Sequence, residues 1–171
     1  MGMESWRPSR GPLMRVAHHD DRLVAIQRAN ALLMAWYDAP QPGHMLTVLR
    51  LMRETHEQSG ARIGFMQFIV RGTPAFSEQV REEGVKMVVE SIAHVAASAH
   101  VLEVPGLIGV ATRAFLSTLL LAGRARAPAR VFRGVDDATP WFLAQLAETG
   151  TRLTPRELRG LHDALKAIAP R

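Results

Sequence analysis

Residues 98–123 (SAHVLEVPGLIGVATRAFLSTLLLAG) form the most apolar stretch of the chain, with Glu103 and Arg113 as its only charges. The stretch cannot be one element, because Pro105-Gly106 interrupts it: proline has no N–H for a continuing ladder, and glycine permits a reversal. It reads as a buried strand at 99–104, a tight turn, and a helix at 107–122 with almost no polar face. A helix apolar nearly all round must be covered on both sides. Its length approaches that of a membrane span, but Arg113 near the middle would cost about 2.5–3.5 kcal/mol there. A buried core is the better home, so a soluble protein with no membrane span is expected.

The remaining chain alternates extended and helical patterns. Residues 1–13 carry two prolines, two glycines and no periodicity, and read as a loose arm with Trp6 as its one large side chain. Two β-type runs at 23–28 and 32–37 meet through Ala29-Asn30-Ala31. Asn30 tolerates left-handed dihedrals, which predicts a tight antiparallel hairpin; an earlier strand at 14–18 could precede it. After the Pro40–Gly43 break, Met45, Val48, Leu49 and Met52 give a helical stripe over 44–58 that Gly60 should end. Residues 62–70 (RIGFMQFIV) are too short for a helix and read as a central strand. A helix is predicted over 76–97, then the strand and helix of the apolar stretch, a basic loop at 123–129 and a short strand at 130–133. A helix over 141–148 follows, with Asp136 or Thr139 as cap and Pro140 as first residue. Thr154-Pro155-Arg156-Glu157 is the strongest start signal: capping threonine, proline at the first helical position, and glutamate three residues after the cap. The helix it opens, 155–169, aligns Leu158, Leu161, Leu165 and Ile168.

Strands alternating with helices require a largely parallel sheet with right-handed crossovers. The expected fold is α/β: a mostly parallel mixed sheet of about five strands with helices packed on it, entered through an antiparallel hairpin and followed by an added C-terminal helix. The domain should run from 14 to 149, with residues 150–171 as the amphipathic tail.

Composition narrows the function. At 171 residues the chain can bury a core unaided, and without cysteine it has no disulfides, thiolate nucleophile or cysteine-bound zinc. A reducing cytoplasm is the expected home. The net charge of +5 raises the question of nucleic acid. Lys86 and Lys166 are the only lysines among 21 basic residues, a bias that a GC-rich genome also produces. The local cluster Arg124, Arg126, Arg130 and Arg133 has no interleaved aromatics for stacking bases, so nucleic acid is disfavoured.

The closing unit 129–143 (ARVFRGVDDATPWFL), in which a Val-x-Phe strand end leads into an acidic turn and a Trp-containing helix, resembles the SpoIIAA-like family that includes STAS domains. Residues 99–106 (AHVLEVPG) are similar to the preceding strand of that family, and 63–70 to its middle strand. The resemblance spans about 14–148. It implies a SpoIIAA-like fold and a bacterial, regulatory, non-catalytic protein. The Asp-Ser-Ser/Thr-Gly phosphorylation turn of the anti-sigma antagonists has no counterpart at 71–77 or 103–106, so no phospho-switch is carried over.

No catalytic constellation emerges. His18-His19-Asp20-Asp21 is the densest polar cluster, but neighbouring turn residues diverge and a solvated turn is expected. Glu90 and His94 lie four apart, a pairing distance on a helix. His44 and His56 match no ligand spacing, and no Gly-x-Ser-x-Gly elbow, P-loop or dinucleotide fingerprint occurs. No cofactor, metal or catalytic residue is expected. Two roles remain. The first is a self-associating interaction module, a homo-oligomer or one with a protein partner, using Pro105, Gly106, Leu107, Ile108 and Arg113 together with Leu158, Leu161, Leu165 and Ile168. The second is a small carrier for a hydrophobic or anionic-headed ligand, with Arg113, Arg124 or Arg133 meeting the head group.

Overall fold

The computed structural model describes residues 13–72, 76–124 and 126–170, which leaves most of the proposed N-terminal arm, Trp6 included, outside the described residues. Six strands, β1 (Arg15–His19), β2 (Leu23–Arg28), β3 (Ala31–Trp36), β4 (Ile63–Ile69), β5 (Val95–Leu102) and β6 (Ala129–Phe132), form one sheet in the order of the chain. The pairings β1·β2 and β2·β3 are antiparallel, and β3·β4, β4·β5 and β5·β6 are parallel. The crossovers are carried by α1 (His44–Ser59), α2 (Glu78–Ser91) and α3 (Gly106–Ala122), and the chain closes with α4 (Val135–Ala147) and α5 (Pro155–Ala167).

Parallel strands laid down always toward the same edge, each through a right-handed crossover, put every crossover helix on one face of the sheet. The core divides accordingly. On the crossover face, Leu32, Met34, Trp36, Ile63 and Phe65 meet Met45, Val48 and Met52 of α1 and Val80 of α2. On the other, Leu33, Met66, Phe68, Ala99 and Val101 meet Phe142 and Leu146 of α4 and Leu158, Leu161 and Leu165 of α5. The period-two alternation of β3 and β4 feeds both layers, so their interiors are apolar on both sides.

Four local expectations are revised. In the β2–β3 turn, Ala29 takes the left-handed conformation (φ 51°) and Asn30 does not. Asn30 is instead buried, its Nδ2 donating to the Arg62 carbonyl (2.7 Å) and to Thr149 Oγ1 (2.8 Å). Helix α2 stops at Ser91, and residues 95–98 belong to β5. Their alanine-rich local preference for helix yields to the ladder with β4, which begins where Ile63 N–H donates to the His94 carbonyl (2.8 Å). Helix α4 starts at Val135, so Pro140 lies inside it and Gly134, not Asp136 or Thr139, is the cap. Finally, β6 starts one residue early, at Ala129. The capping box of α5 forms as the sequence predicts, with Thr154 Oγ1 accepting from Glu157 N–H (3.2 Å) and Thr154 N–H donating to the Glu157 carboxylate (2.8 Å). No helix among the described residues is long and apolar enough to cross a membrane.

Candidate functional site

Between the crossover face of the sheet and α1–α3 lies a chamber of about 100 Å³. Its floor is Trp36, Phe65, Gln67, Val95, Ser98 and His100. Its walls are Met45, Val48 and Met52 of α1, Met87 and Val88 of α2, and Phe115, Leu116 and Leu119 of α3. Phe76 and Phe115 stack with centroids 3.7 Å apart, and Arg71 and Arg126 are the two arginines in the lining. This answers the question posed by the apolar helix in part. The inner side of α3, where Thr112, Leu116 and Leu119 are buried, borders the chamber. Its outer side carries exposed Leu107, Val110 and Leu121.

The polar floor is set by strand register. Gln67 and His100 are direct partners across β4·β5, and Met34 opposite Gln67 on β3 puts Trp36 one diagonal step away. A register irregularity between Ile63↔Val95 and Gly64↔Ala97 inserts Ala96 as an extra residue. That step allows Val95 and the even-numbered Ser98 and His100 to face the same chamber. Trp36 Nε1 donates to Gln67 Oε1 (3.0 Å), and Gln67 Nε2 lies 2.6 Å from His100 Nδ1. An indole N–H is only a donor, so it fixes which end of the Gln67 amide it meets. The Gln67 NH₂ must then donate to Nδ1, leaving the neutral imidazole proton on Nε2. His100 is 4% exposed, and its Nε2 is buried with no hydrogen-bond partner. Burial pushes its pKa down to about 4, so the ring is uncharged at neutral pH. The neighbouring wall hydroxyls are already engaged, Thr112 Oγ1 with the Ile108 carbonyl (2.9 Å) and Ser91 Oγ with that of Val88 (3.1 Å).

Chemically, the lining carries one oriented, unpaired N–H, His100 Nε2, covered by its neighbours in this structure, with Arg71 and Arg126 as cations. His100 has an amide and no carboxylate on Nδ1, and its Nε2 carries a proton, so at neutral pH it is a donor rather than a general base. Asp38, at the edge of the lining, is paired with Arg22 (2.8 Å).

Two further polar clusters lie elsewhere. Asp20 accepts from the backbone N–H groups of Arg22 (2.8 Å) and Leu23 (2.7 Å), and its Oδ2 meets Nε2 of His18 (2.7 Å) and His44 (3.2 Å). Burial raises its carboxyl, but these hydrogen bonds outweigh that and hold it far below the usual range. The turn is thus a knit Asx-type turn rather than a purely solvated one. On the opposite face, Glu103 accepts from His162 Nε2 (2.9 Å) with Lys166 Nζ at 3.7 Å, fastening α5 to the end of β5. Glu90, expected opposite His94, pairs with Arg53 and Lys86 instead. No group of three or more His, Cys, Asp or Glu among the described residues is arranged to hold a metal ion.

The residues singled out from sequence are dispersed. Pro105, Gly106, Leu107 and Ile108 are exposed at the start of α3, and Arg113 is exposed farther along it. Leu158, Leu161 and Leu165 are buried on the other side of the sheet, with Ile168 packed at the edge of that layer. The tail stripe therefore faces the protein's own interior, because α5 folds onto β2 and β3, and it does not continue the α3 surface. Arg124 and Arg133 are exposed and neither lines the chamber. Sequence reading overlooked Gln67 and gave His100 no role. The available signal was Gln67 as the one polar residue of β4 and His100 as the one ionisable residue of β5, each of which must find a partner in a buried sheet.

No family model, curated protein or solved structure matches the chain.

Proposed function

We propose that this is a non-catalytic, SpoIIAA-like binding protein that holds a small apolar ligand between its sheet and its crossover helices. The observation that carries the reading is the chamber itself: methionine, phenylalanine and leucine walls over a floor that holds His100, whose Nε2–H is buried and unpaired. Ligand sites are typically apolar hollows with few, well-placed polar groups. The strand order and hairpin entry support the SpoIIAA-like assignment, and the cysteine-free, arginine-biased composition supports a bacterial cytoplasmic home. Native mass spectrometry of freshly purified protein tests the function: retained small-molecule mass that solvent extraction removes is expected. A bare polypeptide mass, with no ligand-induced rise in melting temperature across a library of small apolar compounds, would overturn it.

A second reading, the self-associating interaction module, has its own support in the outer side of α3, where Leu107 is 87%, Val110 65% and Leu121 80% exposed. Leu107 and Val110 adjoin one turn apart, with Leu121 three turns on, and exposed apolar side chains that form a contiguous patch mark contact surfaces. If they mediate assembly, Val110→Asp converts an oligomer to a monomer in light scattering without lowering the melting temperature. An unchanged mass would count against this surface.

A further inference from the structure

We infer that the chamber selects small apolar molecules bearing one uncharged acceptor oxygen, a ketone, ester or amide, and that His100 Nε2–H is the group that recognises it. The inference rests on the chamber being a ligand site and adds the class of ligand. Orientation comes from the chain Trp36→Gln67→His100, in which the donor-only indole fixes the amide and the amide fixes the tautomer. Need comes from the unpaired Nε2, because a buried donor without a partner costs about 1–3 kcal/mol. Nε2 is covered in this structure; a carbonyl oxygen that displaces its neighbours to reach it relieves that cost, and a hydrocarbon does not. Charge is disfavoured at His100 itself: no charged side chain among the described residues is hydrogen-bonded or ion-paired to it, and a carboxylate seated on Nε2 would exchange its hydration for one neutral donor. Of the two arginines in the lining, Arg71 lies over the Tyr37 ring at 5.8 Å and Arg126 is exposed, and a phenylacetate comparison reads whether either draws a carboxylate. Size follows from the volume of about 100 Å³. An apolar cavity of roughly 150 Å³ accommodates benzene, so the smaller chamber encloses a short chain or the acyl end of a larger ligand.

The test compares acetophenone with isopropylbenzene, which has nearly the same shape without the oxygen, by calorimetric titration into the full chain. Acetophenone is expected to bind at least tenfold more tightly and to shift the His100 Nε2 resonance in protein carrying ¹⁵N-histidine. Gln67→Leu, which releases the tautomer, should shrink the preference while leaving isopropylbenzene affinity nearly unchanged. His100→Phe should abolish it. The wild-type comparison decides alone if either variant misfolds. Equal binding of both probes overturns the recognition by His100 and leaves the chamber reading standing. Tighter binding of phenylacetate than of acetophenone overturns the preference for an uncharged oxygen. Binding of none of the three overturns the chamber reading as well.

Discussion

At the scale of single residues, the close approaches are made by glycines. A Cβ on Gly64 would lie 2.8 Å from Leu146 Cδ1 and 2.9 Å from Phe142 Cζ, so the bare backbone of β4 is what lets α4 settle onto the sheet. A Cβ on Gly123 would lie 2.3 Å from Val88 Cγ1, where α3 leaves its last turn against α2. Gly64→Ala and Gly123→Ala are each expected to lower stability by about 1–3 kcal/mol through overpacking, read as a shift in the urea midpoint. Several titrating groups shape the pH response, among them His100 and Glu103, with the lowered His94 in the first window and Asp20 and Glu157 in the second. His100, with its pKa pushed from 6.5 to about 4, contributes full stability above 6.5, and that contribution is lost as pH falls toward 4. The loss is at most on the order of 3 kcal/mol. Glu103 is lowered from 4.5, chiefly by the His162 hydrogen bond, with burial opposing and Lys166 assisting. Its contribution is present above 4.5 and disappears as pH drops through the folded value. Denaturation midpoints from pH 8 to 3 should therefore decline in two stages. His100→Phe should shrink the first stage to the part due to His94, and Glu103→Gln should shrink the second to that of Asp20 and Glu157; a wild-type curve level from 6.5 to 4 would contradict the buried neutral imidazole.

At the scale of elements, legibility followed the kind of signal. Helices α1 and α5 were readable because their information is local: a buried stripe ended by Gly60 in one, a threonine–proline–glutamate start in the other. The α2–β5 boundary was not, since residues 95–98 are alanine-rich and only pairing with β4 decides their state. The start of α4 was obscured by Pro140, which sequence rules place at a first turn but which here sits exposed within the helix. Its missing N–H falls near the N-terminus, where Thr139 Oγ1 bonds back to the Val135 carbonyl (2.7 Å). The cap of α5 makes a clear prediction. Thr154→Ala removes the side-chain half of the box, leaving the backbone N–H at 154 on the Glu157 carboxylate, and should cost about 1 kcal/mol in chemical denaturation. Leu161→Asp is more severe, because Leu161 is 3% exposed in the α5 layer. An uncompensated charge there should abolish the cooperative melt in circular dichroism, whatever the assembly state of the protein.

At the scale of the whole molecule, the fold class was legible and the candidate site was not. Alternation of periods two and 3.6 specifies a parallel sheet with crossover helices, but not the arrangement of side chains across neighbouring strands. Gln67 and His100 are 33 residues apart and meet only through the β4·β5 register. The two faces of the sheet consequently have different standing. The face under α4 and α5 is filled by Phe142, Leu146, Leu158 and Leu165, all at most 1% exposed. The face under α1–α3 keeps its chamber, and α3 buries only Thr112, Leu116 and Leu119.

The extra residue at Ala96 is a fault in the ladder that keeps β5 in phase with β4. Strand side chains alternate, so an added residue that was not bulged out would send every later position to the opposite side of the sheet. Because Ala96 is left out of the pairing, Val95 stays opposite Ile63, Ala97 opposite Gly64 and His100 opposite Gln67. Absorbing Ala96 into a regular ladder would instead turn His100 toward Phe142 and bring Ala99 and Val101 to the chamber, exchanging the imidazole for apolar side chains. The hydrogen-bonding identity of the chamber thus depends on one unpaired residue being tolerated, and deletion of Ala96 should leave that identity intact.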